Sequence, residues 1–233
     1  MSLVRERIDA VEVIRLDRPE RRNAMDSALL GALVAALDEL AADEQLRALV
    51  ISTTSEGALS AGVDVGEDLD AAGGVARMQA ITCLFAAIEA FPAPALAVCV
   101  GHCVGAGAEL AAGCDLRVGG DNAALAWAGA RHGVPVGPAR LAPLIGISRA
   151  KDWVLTGRVV GAEEALAAGF LHDVVPAAQA EARALELAEA LGDVRALKAM
   201  FGDLDGTAAR VDYENALLTE FQRAGAGLPK GRE

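Results

Sequence analysis

The stretch GHCVGAGAEL, residues 101–110, sets Gly101, Gly105 and Gly107 just ahead of one carboxylate, Glu109. Glycines strip side chains from such a stretch for one of two reasons. They allow elements to pack closely, or they let a ligand reach bare backbone N–H groups. A strand that ends in a glycine turn and runs into a helix leaves first-turn N–H groups unsatisfied, which suits a developing oxyanion. A second loop, LSAGVD at 59–64, offers similar bare backbone. Two N–H groups from separate loops would make an oxyanion hole, with Glu109 one helical step away as acid or base. The residues alone leave this chemistry and close packing both open.

Other chemistries fit less well. A dinucleotide fingerprint needs a glycine where Leu110 stands, and no Walker lysine follows. GALSAG at 57–62 has one residue too many before Ser60 for a serine-hydrolase elbow. His102 and Cys103 are adjacent, so on a strand or helix their side chains diverge and form no dyad. Cys83, Cys99, Cys103 and Cys114 sit in apolar surroundings, with no CxxC pair and no His at a zinc spacing. They are expected to be buried free thiols in a reducing compartment, with no metal site.

The elements that would position these residues read as α/β. AVEVIRLD (10–17) is an alternating strand, RPERRNAMD (18–26) a turn, and Asp26 a candidate N-cap for a helix over 27–41. LRALVIST (46–53) and PALAVCV (94–100) are buried strands, flanking a loop at 55–68 and a helix around 72–90. GAELAAG should be helical, and DLRVGG (115–120) and AALAWAG (123–129) are short strands. Strands alternating with helices predict a mainly parallel sheet. After about residue 138 the pattern turns helical, with 177–224 helical throughout and GAGLPKGRE as a frayed tail.

The 233 residues suffice for one large domain or a domain with an appendage, and they carry 53% hydrophobic but only 3% aromatic residues. The core must therefore be built mainly from Ala, Val and Leu. A net charge of −12 argues against nucleic-acid and anionic-membrane partners. MSLVRERIDA has no apolar signal-peptide core, and the uncharged run 91–108 is broken by prolines and glycines. A cytoplasmic protein with no membrane span is expected.

RPERRNAMD, LRALVIS, ALSAGVD and PALAVCVGHCVGAGAELAAGCDLRV, in this order, resemble the enoyl-CoA hydratase/isomerase (crotonase) superfamily. HGVPVG (132–137) stands where that family has a G-x-x-P segment, and the match runs in register from about residue 10 to 175. The resemblance implies a crotonase-like spiral of ββα units over 1–175. It also implies a helical C-terminal region, 176–233, that serves trimerisation and pocket closure. The implied ligand is an acyl-CoA thioester, with no cofactor beyond the coenzyme A of the substrate and a homotrimer or hexamer as the assembly. By the motif, Val63 N–H and Ala106 N–H polarise the thioester carbonyl and Glu109 is the first of the family's two glutamates.

The same resemblance places Ala61, Gly62, Asp64 and Gly105 around the substrate, with Asp64 fixing its loop. It sets Arg22 and Ala24 at the CoA entrance, where Arg22 could meet a phosphate; Arg18 and Arg21 are weaker candidates. The second glutamate belongs four residues before Gly133, and that position is Gly129. A glycine neither transfers a proton nor holds a water by its side chain, so hydratase action is in doubt. The family's simple isomerases, which keep a carboxylate there, are not matched either. Arg131 is read as a surface or subunit-interface cation, His132 as packed rather than a substitute base, and His102 as a tolerated residue beside a strand end. The alternative from another class is a non-catalytic acyl-CoA-binding protein on the same fold.

Overall fold

In a computed structural model, which describes residues 2–223, the chain runs β1 (Leu3–Ile8), β2 (Val11–Leu16), α1 (Ser27–Ala41), β3 (Ala48–Thr53) and β4 (Ala58–Ser60). It continues with α2 (Ala71–Glu89), β5 (Ala95–Cys99), β6 (His102–Val104), α3 (Ala106–Ala112), β7 (Leu116–Gly120) and β8 (Ala124–Ala126). Then follow α4 (Pro138–Ile145), α5 (Ile147–Thr156), β9 (Val160–Gly161), α6 (Ala162–Ala167) and β10 (Asp173–Val175). Three helices close the described chain: α7 (Ala180–Ala190), α8 (Arg195–Asp205) and α9 (Thr207–Arg223). The tail at 225–233 lies outside the described residues.

The strands form two sheets, ordered β1-β2-β3-β5-β7-β10 and β4-β6-β8-β9. The pairs β3/β4, β5/β6 and β7/β8 each give one strand to either sheet, all in parallel register within each sheet. The chain thus winds as a spiral of ββα turns. Among the described strands, β1 pairs with β2 and β9 with β8 in antiparallel register. Parallel strands covered on both faces read as continuous apolar runs, which is how ALVIST and ALAVC look.

Local chemistry fixes the first helix where the sequence puts it. Asp26 Oδ1 accepts from Leu29 N–H at 2.8 Å, and Leu29, Leu30, Leu33, Leu37 and Leu40 face the core. The larger core packs α1, α2 and α3 against one face of the long sheet. A smaller one seats Ala180, Ala184 and Ala188 of α7 on the opposite face, over Val13, Val50, Leu96 and Val118. Alanines at this 4-residue spacing let the helix approach the sheet closely.

Several expectations need correction. The 55–68 segment holds a strand, β4, because Ala58, Leu59 and Ser60 are buried beside β6. Strands also return after residue 138, since β9 and β10 extend the two sheets. Residues 177–223 are not helical throughout: a 3-10 turn at Ala177–Gln179 leads into α7, and the helices break at 191–194 and at left-handed Gly206. Cys83 is exposed on α2, whereas Cys99, Cys103 and Cys114 are buried and free. Burial raises the Cys114 thiol far above its ordinary range. Among the described residues no cluster of side chains could hold a metal ion. One helix there, α2, is long and apolar enough to cross a membrane by length and composition, and in this fold it packs on α1, α3 and α9.

Candidate active site

The RRNAMD segment acts as a brace for the 59–64 loop. Asn23, at φ 53°, donates to Thr53 Oγ1 at 2.7 Å and to the Ala58 carbonyl at 2.9 Å. Ser60 Oγ donates to the Asn23 carbonyl at 2.7 Å and accepts from Gly62 N–H at 3.1 Å. Met25 N–H reaches the Gly62 carbonyl at 2.7 Å, and Asp64 N–H returns to the Met25 carbonyl at 2.9 Å. Val63 is left between these two bonds.

Asp64 is tied into this loop through both its side chain and its backbone. Its carboxylate pairs with Arg18 at 3.3 Å and accepts from Gly66 N–H at 3.1 Å, while its carbonyl accepts from Arg77 at 2.7 Å. Arg18 also pairs with Asp26 and bonds the Ala24 carbonyl, so it is occupied within the loop, and Arg21 lies 4.0 Å from Asp64. Arg22 is exposed, with its carbonyl accepting from Ala61 N–H at 2.8 Å. Neither Arg22 nor Ala24 lines the cavity described next.

A cavity of about 120 Å³ lies where the braced loop meets the β6–α3 turn, lined by Val63, Gly105, Ala106, Glu109, Gly129 and His132 among others. Gly62, at φ +93°, makes the approach possible. A Cβ there would lie 2.8 Å from the Val104 carbonyl oxygen and 3.5 Å from Ala106 N. Ala106 opens α3, so its N–H has no partner inside the helix. Among the described residues neither Val63 N–H nor Ala106 N–H donates to a protein acceptor. Two residues with such N–H groups, from separate loops, therefore line one cavity.

The three glycines of the opening motif divide between the two explanations. A Cβ at Gly101 would fall 2.1 Å from the Gly57 carbonyl, and one at Gly107 2.6 Å from the Ser60 carbonyl. Both are demanded by packing against β4. Only Gly105, at φ +52°, has open space around its missing Cβ. Of the three, Gly105 alone meets no packing demand, and its positive φ itself favours glycine.

Glu109 is 1% exposed. Its Oε2 accepts from Arg140 Nη1 at 2.9 Å, and Oε1 has no partner. Burial raises its carboxyl, opposed by the Arg140 charge and reinforced by the negative charge of Glu214, to about 7. That value suits a group that gives or takes a proton near neutrality. Arg140 and Glu214 escaped the sequence reading. Arg140 sits five residues past Pro135, but nothing in its neighbours marks it as buried, and Glu214 lies on a helix whose charge pattern looks solvated.

Gly129 lines the same cavity as Glu109, in a short 3-10 turn. A Cβ there would meet Val136 Cγ1 at 2.7 Å and the Val134 carbonyl at 3.1 Å. The empty slot is closed by valine packing. Arg131 is exposed, with its Nε 3.0 Å from where a Cβ at Gly157, just past α5, would lie. His132 is exposed at the cavity wall instead of packed, because the 3-10 turn ends there at left-handed Gly133. His102 is exposed at the start of β6 and stays clear of the cavity.

The family model for enoyl-CoA hydratase/isomerase matches residues 6–219. The chain is 30% identical to enoyl-CoA isomerase/hydratase claC of Penicillium crustosum over 96% of itself and 29% of that protein. It is 35% identical to 2,3-dehydroadipyl-CoA hydratase of Escherichia coli (strain K12), covering 80% of this chain and 74% of the relative. The crystal structure of enoyl-CoA hydratase from Bacillus anthracis superposes with a TM-score of 0.82 at 26% identity, covering 100% of both chains. The chain spans less than two thirds of several curated relatives: 29% of the Penicillium protein, and 56% and 62% of two mitochondrial ones. A family match across nearly the whole described chain, with the fold to go with it, places this protein in the enoyl-CoA hydratase/isomerase family.

Proposed function

We propose that this chain acts on an acyl-CoA thioester and stabilises the enolate formed at the carbon next to the carbonyl. The carrying observation is the shared cavity of two free donors, Val63 N–H and Ala106 N–H, with the unpartnered Glu109 Oε1. In this reading the thioester oxygen accepts from both N–H groups as negative charge develops on it. Donors fixed in place before the reaction need no reorganisation, which is why such holes are effective. Glu109 Oε1 then takes or returns the proton. With Gly129 in the second slot, Glu109 works with no carboxylate at that position, so efficient hydration is not expected and the reaction is another that passes through the enolate.

The acyl group should be uncharged. Met78, Ile81 and Phe85 of α2 and Leu218 of α9 line the wall, and among the described residues the cavity holds no Lys or Arg. The Escherichia coli relative is named for a substrate whose acyl chain ends in a carboxylate. Burying an unpaired carboxylate costs several kcal/mol, so such a substrate should bind this chain at least ~10²-fold more weakly than an apolar one of similar length. In this reading the C-terminal region closes the pocket through Leu218 of α9 and serves assembly as a trimer or hexamer, and the protein works in the cytoplasm.

A panel of enoyl-, 3-enoyl- and 3-hydroxyacyl-CoA substrates, with turnover and binding both measured, tests the proposal. Turnover that disappears in Glu109→Gln while binding persists supports it. The missing carboxylate at Gly129 favours one second reading, an acyl-CoA-binding protein that turns nothing over. Tight binding without turnover, indifferent to Glu109→Gln, would establish that reading instead.

A further inference from the structure

Glu109 belongs to a buried cluster of three charges drawn from three helices. Arg140 of α4 is fully buried, and its Nη1 donates to Glu109 Oε2 and to Glu214 Oε1, each at 2.9 Å. Glu214 of α9 turns its other oxygen to Gly137 N–H and Ala139 N–H, both at 3.0 Å, at the start of α4. The guanidinium lies 4.5 Å from the Phe85 ring centre. One nitrogen thus holds two carboxylates that would otherwise repel each other, and the cluster carries one negative charge in excess when all three are ionised.

The two carboxylates are not equivalent. Glu214 is met by three donors, whereas Glu109 is met by one and leaves Oε1 bare. A proton entering this cluster goes where fewest hydrogen bonds to the anion are lost. We propose that Arg140 and Glu214 are positioning residues for Glu109: the guanidinium clamps Oε2, and the anchored Glu214 leaves Glu109 Oε1 as the oxygen of the pair that exchanges a proton with a ligand in the cavity. This rests on the acid–base reading of Glu109 given above.

The other groups around the cluster are few. Glu89 of α2 feels the Arg140 charge and lines a second cleft with it, and His132 lies on the cavity wall. The Trp127 indole N–H, out of hydrogen-bonding geometry, pulls the Glu109 carboxyl weakly downward. Within the cluster itself, Glu214 is the negative neighbour whose charge can be removed without breaking the clamp on Glu109.

The test follows the Glu109 carboxyl by ¹³C NMR on protein labelled at glutamate side chains, with Glu109→Gln identifying its resonance. Glu214→Gln should lower the titration midpoint by about 1–3 pH units, and Arg140→Met should raise it by a similar amount. Arg140→Lys, which keeps the charge, should leave it within about one unit of the parent. The acidic limb of the kcat/KM profile should move with the midpoint, a shift that a merely structural role would not produce. Should Arg140→Met fail to fold, Glu214→Gln and Arg140→Lys still decide. An unchanged midpoint in folded Glu214→Gln overturns the proposal even if the enzyme turns over normally. The expected shifts in a protein with no turnover on any acyl-CoA would support the clamp and overturn the enzymatic reading.

Discussion

Replacing Glu109 by Gln should make the protein more stable above neutral pH. The Glu109 carboxyl is raised from an ordinary 4.5 to about 7, chiefly by burial, so the folded state retains a proton that the unfolded chain has already released. The stability associated with the neutral form is fully present below pH 4.5 and is lost as pH rises through about 7. At 1.36 kcal/mol per unit, that gap amounts to about 3 kcal/mol, of which about 2.5 kcal/mol falls between pH 5 and pH 8. The glutamine side chain carries no charge to desolvate, and its carbonyl can still accept from Arg140 Nη1, leaving Arg140 and Glu214 as a neutral pair. Urea unfolding of both proteins at pH 5 and pH 8, at one protomer concentration, provides the assay. The variant's advantage should grow by about 2 kcal/mol or more between the two pH values. A stability difference that stays constant, or that favours the parent at pH 8, would refute the burial argument.

Ala106→Pro should abolish turnover or weaken acyl-CoA binding, because losing one working oxyanion donor costs about 2.7–4 kcal/mol. Ala106 is the first residue of α3, where proline is tolerated, so the variant should keep its circular dichroism spectrum; Ala106→Gly should change little. Gly129→Glu alone should be destabilised without gaining hydration of crotonyl-CoA, since its Cβ collides with Val136. Adding Val136→Ala should relieve the collision and raise hydration, and no gain in a folded double variant would mean that the slot is not hydratase-like. Light scattering should find a trimer or hexamer, given exposed Ile147, Leu155, Leu197, Phe201, Leu204 and Tyr213, and a strict monomer at micromolar concentration would count against that assembly.

What the sequence determined by itself is what depends on near neighbours. Asp26 caps α1 because a carboxylate three residues before an amide reaches it whatever the rest of the fold does. The buried parallel strands and the α/β class were legible for the same reason, whereas Glu109 and the slot at Gly129 were singled out by the resemblance of their motifs. Short strands were not: β9 has two residues and exists only because β8 presents an edge to it. Nor did the sequence separate Gly101 and Gly107, which packing demands, from Gly105, which stays open, since that depends on where β4 passes. Tertiary structure alone joined Glu109 to Arg140 and to Glu214, residues 31 and 105 positions further along the chain. Ion-pair partners at such separations are chosen by how helices pack, and the same packing removes the water that would otherwise hold Glu109 near an ordinary carboxylate's acidity. The sequence could single out Glu109; only burial among α3, α4 and α9 sets its acidity.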